Sequence, residues 1–345
     1  MGMNTVSIRL PVKITLFGEH AVVYNKPAIA STIPVFMNVT GRRLNDEKLV
    51  VKFHNANVLI KGIVLDRLSN SYTLVPDDVS VSRFTSYIVT GLEICEDELK
   101  VSRGGYEINI ESTLPMGAGL GTSAAISVGT IAVCISLNYS HNFEDPYIKR
   151  MIALLAWKTE RRVQGAASPM DTFTITYGGI RYIKPWIPEA EIIVPPRHFN
   201  IVIGYTPKRY TTADLVRSVK NLKSKEEYLL NMLLDITERV VEEAKNAIAN
   251  NDIEKLGILM NINHGILESL GVVSLEHSNI VKTLIAAGAL GAKTSGAGGG
   301  GAFIALARDR EHAALLKNVA EALGAKVVAL ELYEMGFTIN YNKME

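Results

Sequence analysis

The chain has 345 residues, with 36 Lys and Arg against 35 Asp and Glu, which gives a formal net charge of +1. With so little net charge, the composition gives no electrostatic reason to expect nucleic acid or an anionic membrane as partner. Any phosphate binding must therefore depend on a few residues at one site. A domain takes roughly 100–200 residues, so the length predicts two domains with a cleft between them, where small-molecule chemistry usually takes place.

The cysteines and the N-terminal segment indicate the cellular compartment of the protein. Cys95 and Cys134 lack the paired spacing of zinc, redox or disulfide frameworks, so we expect both to be thiols in the core. The N-terminal segment has no long apolar stretch before a small-residue cleavage site, and no run of 18 or more uncharged apolar residues occurs elsewhere. The sequence therefore predicts a cytoplasmic protein that does not associate with membranes.

The first half of the chain begins β-rich and then becomes helical. Short strand-like runs separated by turns fill residues 5–110, with one helix expected near Ser82 to Cys95. Residues from Thr122 to Leu137 are apolar almost all round, which predicts a helix buried on every face. A half-polar helix is expected over residues 147–164.

The second half is mostly helical. Near residue 185 the composition shifts to Pro, Gly and single aromatics, which predicts the exit from the first domain. Apolar residues at three- and four-residue spacing then predict several helices, followed by the strand AFIALA, a helix near 310–323 and the strand KVVALELY. We therefore expect an α+β fold with domains over 1–185 and 186–345.

The most specific feature is a glycine-rich stretch, LPMGAGLGTSAA, directly before the buried helix. Glycine lets backbone N–H groups approach a ligand closely, and the first N–H groups of a helix lie at the positive end of its dipole. No lysine follows the last glycine, so this is not a Walker A loop. An ordinary glycine-rich turn is the alternative. The predicted phosphate-binding residues are Pro115, Met116, Gly117, Ala118, Gly119, Leu120, Gly121, Thr122, Ser123 and Ala124.

A second glycine cluster, KTSGAGGGGAF, contains the spacing G-x-G-x-x-G at Gly296, Gly298 and Gly301. A strand-like segment follows it, whereas the dinucleotide fingerprint requires a helix there, so we reject that interpretation. We expect a loop lined by backbone that closes over phosphates or substrate, with Gly296, Ala297 and Gly298 at the substrate. A tight loop between a helix and a strand is the alternative.

Two further segments carry charged residues in unusual places. In KITLFGEHAVVY, the polar Lys13, Glu19 and His20 interrupt an otherwise apolar strand and its continuation. Lys13 can neutralise a transferring phosphoryl group or a carboxylate, unless the segment is simply a strand end at the surface. Farther on, Glu160 ends a helix and Asp171 follows a Ser-Pro turn. One carboxylate can hold Mg²⁺ while the other orients or deprotonates a hydroxyl, although either alone is more often a cap or a surface charge.

These four segments, in this order and over nearly the whole chain, resemble the small-molecule kinases of the galactokinase, homoserine kinase, mevalonate kinase and phosphomevalonate kinase superfamily. The superfamily's phosphate loop, P-x-G-x-G-L-G-S-S-A, matches the stretch from Pro115 to Ala124. Glu160, eleven residues before Asp171, matches the superfamily's magnesium-binding glutamate, and Asp171 matches its catalytic aspartate. The string GEHAVVY with the preceding Lys13 looks like the mevalonate kinase branch.

The resemblance implies a ribosomal-protein-S5-like N-terminal domain, a ferredoxin-like C-terminal domain and an active-site cleft between them. It also implies transfer of the γ-phosphoryl group of ATP to the 5-hydroxyl of mevalonate. Asp171 and Lys13 would be catalytic, and Ser123 and Glu160 would hold Mg²⁺. Glu19 and His20 would line the mevalonate pocket. A homodimer is a candidate assembly.

Some residues depart from the superfamily pattern. Thr122 replaces the first serine of the phosphate loop but keeps a hydroxyl. The segment Ser-Pro-Met-Asp replaces the commoner Pro-Ser-Gly-Ile/Val-Asp, so Met170 adds bulk beside the predicted catalytic aspartate. Thr212 matches a superfamily threonine near the active site and is a further predicted substrate residue.

Three other functions remain open at this point. A phosphomevalonate or sugar kinase is the nearest rival, because acceptor choice depends on side chains that the sequence does not place in space. A diphosphomevalonate decarboxylase shares this fold but is not expected to carry GEHAVVY or the Glu160–Asp171 pair. A paralogue that only senses a ligand would have lost Asp171, Lys13 or the magnesium ligands, and all of them are present.

Overall fold

The first of two β-sheets is built mainly from strands of the N-terminal half of the chain. The computed structural model describes residues 5–55, 58–66, 71–74, 79–114, 118–139, 142–207, 210 and 212–342. The strands of the first sheet are β1 (Thr5–Phe17), β2 (Ala28–Leu44), β3 (Lys48–Asn55), β4 (Val58–Asp66), β5 (Ser71–Leu74), β6 (Gly105–Ser112), β7 (Ile180–Lys184), β8 (Glu189–Ile193) and β13 (Thr338–Asn342).

Long antiparallel pairings join the central strands of this sheet. Its order is β13-β1-β2-β6-β3-β4-β5, with β7 pairing to β2 and β8 pairing to β7. Every pairing is antiparallel except that of β3 with β6. The second part of β1, from Leu10 to its end at Phe17, is buried throughout, although it includes Lys13. A charged side chain is therefore fixed inside the molecule.

The second sheet is built from β9 (Ile201–Thr206), β10 (Gly291–Thr294), β11 (Gly301–Leu306) and β12 (Lys326–Ala329). Its order is β10-β11-β9-β12, and all its pairings are antiparallel. Helices lie between β9 and β10 and between β11 and β12, which gives the split βαβ arrangement of a ferredoxin-like unit. The predicted α+β class is confirmed.

Nine helices are described, and four of them pack in the first half. They are α1 (Val79–Leu99), α2 (Thr122–Asn138), α3 (Pro146–Gln164), α4 (Met170–Tyr177), α5 (Thr212–Lys225), α6 (Glu227–Ala249), α7 (Ile253–Ser269), α8 (Leu275–Ala286) and α9 (Arg310–Ala322). Helix α2 contacts β1, β2, α1, α3 and α4, which explains why its sequence is apolar on every face. None of the helices in the described ranges is both long and apolar enough to span a bilayer.

One hydrophobic core extends across both sheets. It includes Ile14 and Phe17 of β1, Ile203 of β9, Ile304 of β11 and Leu256 of α7. Burial of apolar surface is the main favourable contribution to folding, so this shared core holds the two sheets in a fixed relation.

Two features of the fold bear on predictions from the sequence, the two cysteines and the domain division. Cys95 and Cys134 are joined by a disulfide, so the expectation of two core thiols is wrong. Their contact results from the packing of α1 against α2 and does not show in their spacing along the chain. Residue 185 lies in the turn between β7 and β8, and both of these strands belong to the first sheet. The chain leaves this sheet after Ile193 and returns to it with β13, which begins at Thr338. The division at 185 stays a prediction.

Helix α4 was not foreseen, because its sequence is rich in β-branched residues, which are weak helix formers. Two threonine hydroxyls turn back onto the helix, where Thr176 Oγ1 donates to Thr172 O at 2.7 Å and Thr172 Oγ1 donates to Pro169 O at 3.3 Å. Pro169 and Gly178 bracket the helix at its two ends. This short helix places Asp171 in its first turn.

Candidate active site

The first glycine loop leads directly into the N-terminus of α2. Gly119 and Gly121 adopt left-handed backbone angles, with φ of 85° and 76°. Gly121 is the N-cap of α2, so the first N–H groups of a buried helix face the cleft with no capping side chain from this residue. Ser123 is half-exposed there, whereas its neighbours Thr122 and Ala124 are buried. Pro115, Met116 and Gly117 lie outside the described residues.

Lys13 lies between the glycine loop and Asp171. Its Nζ is 2.8 Å from Asp171 Oδ1 and donates to Thr15 Oγ1 at 3.0 Å. Its backbone N–H donates to Leu120 O at 3.1 Å, which ties β1 to the loop. A Cβ at Gly121 would lie 2.7 Å from Lys13 Cγ, so only glycine leaves room for the lysine stem. The ammonium is therefore fixed in direction by backbone and side-chain contacts.

Glu160 occupies a different environment from Asp171. It is 5% exposed and accepts hydrogen bonds from Ser127 at 2.9 Å, Ser123 at 3.2 Å and Gln164 at 2.6 Å. Burial raises the pKa of Glu160 to about 8, with the hydrogen bond from Ser127 opposing the rise and the charge of Asp171 adding to it. No ion pair among the described residues involves Glu160.

Glu19 and His20 follow β1 at the turn into a short 3-10 helix. His20 has a left-handed φ of 59°, a costly conformation for this residue, and its Nε2 lies 3.0 Å from Ala297 O. A carbonyl only accepts, so Nε2 carries the proton. Glu19 is 3% exposed and forms an ion pair with Lys293, which is fully buried in β10. Both residues thus connect β1 to the second sheet.

The second glycine loop joins β10 to β11 as a hairpin and is fixed at both ends. Thr294 donates through its backbone N–H to His264 Nδ1 at 3.3 Å, and its hydroxyl bonds His277 Nδ1 at 2.7 Å. His277 Nε2 lies 2.9 Å from Gly301 O, at the other end of the loop. Burial lowers the pKa of His264 to about 4, so this histidine is neutral near pH 7.

The two glycine loops touch across the cleft. A Cβ at Gly119 would lie 3.3 Å from Ala302 N, and one at Gly296 would lie 3.2 Å from Gly119 O. Ser295 bonds the backbone of Thr15, donating to its O at 2.8 Å and accepting from its N–H at 3.1 Å. Two backbone-lined loops from different sheets therefore form one wall.

Most of the predicted site residues line a single cleft. Those that line it are Lys13, Glu19, His20, Gly119, Gly121, Thr122, Ser123, Glu160, Asp171, Gly296 and Ala297. Four others do not. Ala118, Leu120 and Ala124 are buried in the core. Gly298 lies directly against Val272, since a Cβ at this glycine would be 2.0 Å from Val272 O. Thr212 begins α5, but its side chain lies outside the described part of the chain.

Several residues of the site were not predicted. Apolar Val22, Val23 and Val216 line the cleft. Met170, which is bulky and directly precedes Asp171, lines it as well. Lys293 and Ser127 were not assigned either, although each is a polar residue inside an otherwise apolar element. That interruption of pattern is the signal that could have found both of them.

Comparison with known families agrees with this architecture. The model of the GHMP kinases N terminal domain matches residues 86–179, and that of the GHMP kinases C terminal matches residues 244–326. The chain belongs to the GHMP kinase family, and curated relatives that match it over most of its length include mevalonate kinases.

Two of these relatives come from archaea. The mevalonate kinase of Pyrococcus furiosus is 36% identical over 308 residues, which cover 88% of this chain and 89% of that protein. The mevalonate kinase of Saccharolobus solfataricus is 36% identical, with 87% and 90% covered. The crystal structure of the Methanococcus jannaschii mevalonate kinase matches with a TM-score of 0.70 and 26% identity, over 95% of this chain and 98% of that one.

Proposed function

We propose that this protein transfers the γ-phosphoryl group of ATP to the 5-hydroxyl of mevalonate, giving 5-phosphomevalonate and ADP. The observation that carries the proposal is the Lys13–Asp171 pair, 2.8 Å apart in a cleft that the N-terminus of α2 also faces. A site that binds the phosphates and a carboxylate that orients the hydroxyl are two parts that recur in enzymes of phosphoryl transfer. The choice of mevalonate as the substrate is supported by the mevalonate kinase relatives, which are 36% identical to this chain.

The reaction exchanges one P–O bond for another. The substrate hydroxyl oxygen bonds to the γ-phosphorus, the bond to the β–γ bridging oxygen breaks, and its electron pair remains on ADP. Asp171 orients the hydroxyl and accepts its proton, while Lys13 offsets negative charge on the moving phosphoryl group. The N–H groups at the start of α2 hold the phosphates in place. Positioning and charge stabilisation provide most of the catalysis, so the packing of the two sheets around one core suits this chemistry.

The site also suits a magnesium ion. Hard divalent cations take oxygen ligands, and Ser123 and Glu160 bring a hydroxyl and a carboxylate together at 3.2 Å. Glu160 is buried without a cationic partner among the described residues, so a bound cation would compensate its charge. We propose that Ser123 and Glu160 hold Mg²⁺. When bound, the ion neutralises charge on the nucleotide phosphates.

Acceptor specificity is the point that an assay decides. We would measure ADP release from the full chain with mevalonate, phosphomevalonate, galactose and homoserine at saturating MgATP. We expect kcat/KM for mevalonate to exceed the others by about a hundredfold or more, since hydrogen-bonding pockets discriminate polar analogues on that scale. Equal rates on two acceptors would contradict the proposal. A preference for phosphomevalonate or galactose would favour the rival kinases instead.

Two related expectations stay predictions. The sequence indicates a location in the cytoplasm, without nucleic acid or membrane as partner, and a homodimer is a candidate assembly. Cell fractionation and sedimentation velocity would test them. Neither bears on the chemistry proposed here.

A further inference from the structure

Among the described residues, the ion pair of Lys293 with Glu19 is the most deeply buried. The lysine side chain is 0% exposed and that of the glutamate 1%. Lys293 lies on β10 of the second sheet, and Glu19 follows β1 of the first, 274 positions earlier in the chain. Lys293 Nζ also donates to Thr294 O at 2.7 Å. The pair therefore joins the two sheets at the floor of the cleft.

Stability alone does not explain this pair. The cost of removing two charges from water often exceeds their mutual attraction, so apolar side chains of similar size can serve as well or better. Burial lowers the pKa of Lys293, the positive charge of Lys13 lowers it further, and Glu19 opposes both effects. The protein keeps a buried ion pair at a position where apolar side chains could give the same stability. That points to a role in the cleft.

The second oxygen of Glu19 indicates what that role is. Oε1 accepts a hydrogen bond from Lys293 Nζ, whereas Oε2 is buried and has no hydrogen-bond partner within the described ranges. Glu19 lines the same cleft as Lys13 and Asp171. A carboxylate oxygen paired with an ammonium is an acceptor only, and a buried acceptor without a donor is costly. A hydroxyl group in the cleft would satisfy it, and an anionic group would be repelled.

We propose that Lys293 is a positioning residue for substrate recognition: it holds Glu19 Oε1, so that Oε2 accepts a hydrogen bond from a substrate hydroxyl that is not phosphorylated. The inference rests on the proposed function. The hydroxyl that reacts belongs at Asp171 and Lys13, so the one left for Glu19 is the tertiary hydroxyl on C3 of mevalonate. Lys293 itself does not touch the substrate.

The test compares mevalonate with its 3-deoxy analogue, 3-methyl-5-hydroxypentanoate, in the wild type and in Lys293→Met. Sites built to bond a hydroxyl reject the analogue that lacks it, so we expect wild type to prefer mevalonate by about a hundredfold or more in kcat/KM. In Lys293→Met the preference should fall at least about tenfold, with the KM for ATP changed less than about twofold. A purely structural role for Lys293 would lower activity on both acceptors alike and leave their ratio unchanged, which would overturn the inference.

Ser295→Ala is the matched control. Ser295 also comes from the second sheet and also bonds β1, through the backbone of Thr15, but it does not contact Glu19. We expect it to lower activity on both acceptors together and to keep the wild-type ratio. If Ser295→Ala lost the preference as well, any loosening between the sheets would explain the effect, and the assignment of Lys293 would be wrong.

A double variant covers the case in which Lys293→Met does not fold. Glu19→Gln with Lys293→Met leaves no unpaired buried charge, so it should be more thermally stable than Lys293→Met alone. It should still show the lowered preference, because nothing fixes the side chain at position 19; a wild-type ratio would overturn the inference. Wild type that fails to phosphorylate mevalonate at all would instead contradict the proposed function.

Discussion

Two carboxylates of the same cleft are placed in contrasting surroundings. The Asp171 side chain is 30% exposed and paired with Lys13, whereas Glu160 is buried among two serine hydroxyls and an amide. Neighbouring acids in contrasting environments usually have different roles. The two residues should therefore respond differently to the loss of their charge.

Asp171→Asn should lower kcat by about a hundredfold or more, on the scale usual for lost acid–base catalysis, and leave MgATP affinity nearly intact. The amide keeps the size of the side chain but cannot accept the proton or balance Lys13. Steady-state kinetics with mevalonate and nucleotide titration would measure the two effects, after circular dichroism confirms the fold. Near wild-type turnover would place the catalytic carboxylate elsewhere.

Glu160 should make magnesium use depend on pH. Its pKa is about 8 against an ordinary value of 4.5, so near neutral pH it holds a proton that Mg²⁺ must displace. The Mg²⁺ concentration for half-maximal rate should fall by up to about tenfold per pH unit between pH 6 and 8, and level off above. Glu160→Gln should need more Mg²⁺, show no such slope and recover part of its activity in excess metal. An identical slope in that variant would contradict the assignment.

The same shift has a consequence for stability, whose sign is fixed by linkage. The folded state binds the proton of Glu160 more tightly than the unfolded state, so this contribution is full below pH 4.5 and lost as pH rises through about 8. In the absence of metal, Glu160→Gln should therefore gain in Tm relative to wild type as pH rises from 5 to 9. Thermal melts across that range would measure it, and a constant difference would contradict the shifted pKa.

At the scale of elements, the site depends on a glycine loop packed against a lysine. Gly121 has a left-handed φ of 76° and leaves no room for a Cβ beside Lys13. Gly165, which ends α3, has a similar φ of 79°, but a Cβ there would meet no atom within 4 Å among the described residues. Substitutions at the two glycines therefore distinguish the effect of backbone strain from the effect of a steric clash with Lys13.

Gly121→Ala should lower kcat on the order of a hundredfold, since a displacement of about 1 Å of a positioned group has that effect. The added methyl would push Lys13 away from Asp171. Gly165→Ala has only the backbone strain of a positive φ, about 1–3 kcal/mol, so its Tm should fall and its kcat should not change. Kinetics and thermal melts of both variants make the comparison. Equal losses of kcat would mean that backbone strain alone is responsible.

At the scale of the whole molecule, the chain returns to its first sheet after completing the second. Tyr333 N–H donates to Thr32 O at 2.8 Å, and Phe337 is buried in the core of the first half. β13 then pairs with β1 from Thr5 to Arg9, the same strand that carries Lys13 farther along. The last strand thus supports the strand that holds the site.

Removing residues 337–345 should lower Tm by at least roughly 5 °C, because it removes a buried aromatic side chain and exposes the edge of β1. Activity should fall with it at temperatures where the shortened chain remains folded. Removing only residues 343–345, beyond β13, is the control and should leave both properties unchanged. An unaltered Tm after the longer deletion would mean that β13 does not support the sheet.

Local patterns in the sequence were enough to predict several elements of this protein and several residues of its candidate site. The apolar run after Thr122, the glycines before it and the carboxylates of Glu160 and Asp171 all depend on residues within a few positions of one another. Helix periodicity, the conformational freedom of glycine and the dipole of a helix act over that range. They predicted α2, the phosphate loop and the α+β class.

Only the tertiary structure decided which distant side chains meet. Cys95 bonds Cys134 because α1 packs on α2, and Lys293 reaches Glu19 because β10 and β1 meet at one cleft. Ser295 and Thr15 are 280 positions apart in the chain. Such contacts depend on how two sheets share one core, and no spacing along the chain encodes them. The sequence by itself determined which groups are available for chemistry, and the packing of the two sheets decided which of them face one another.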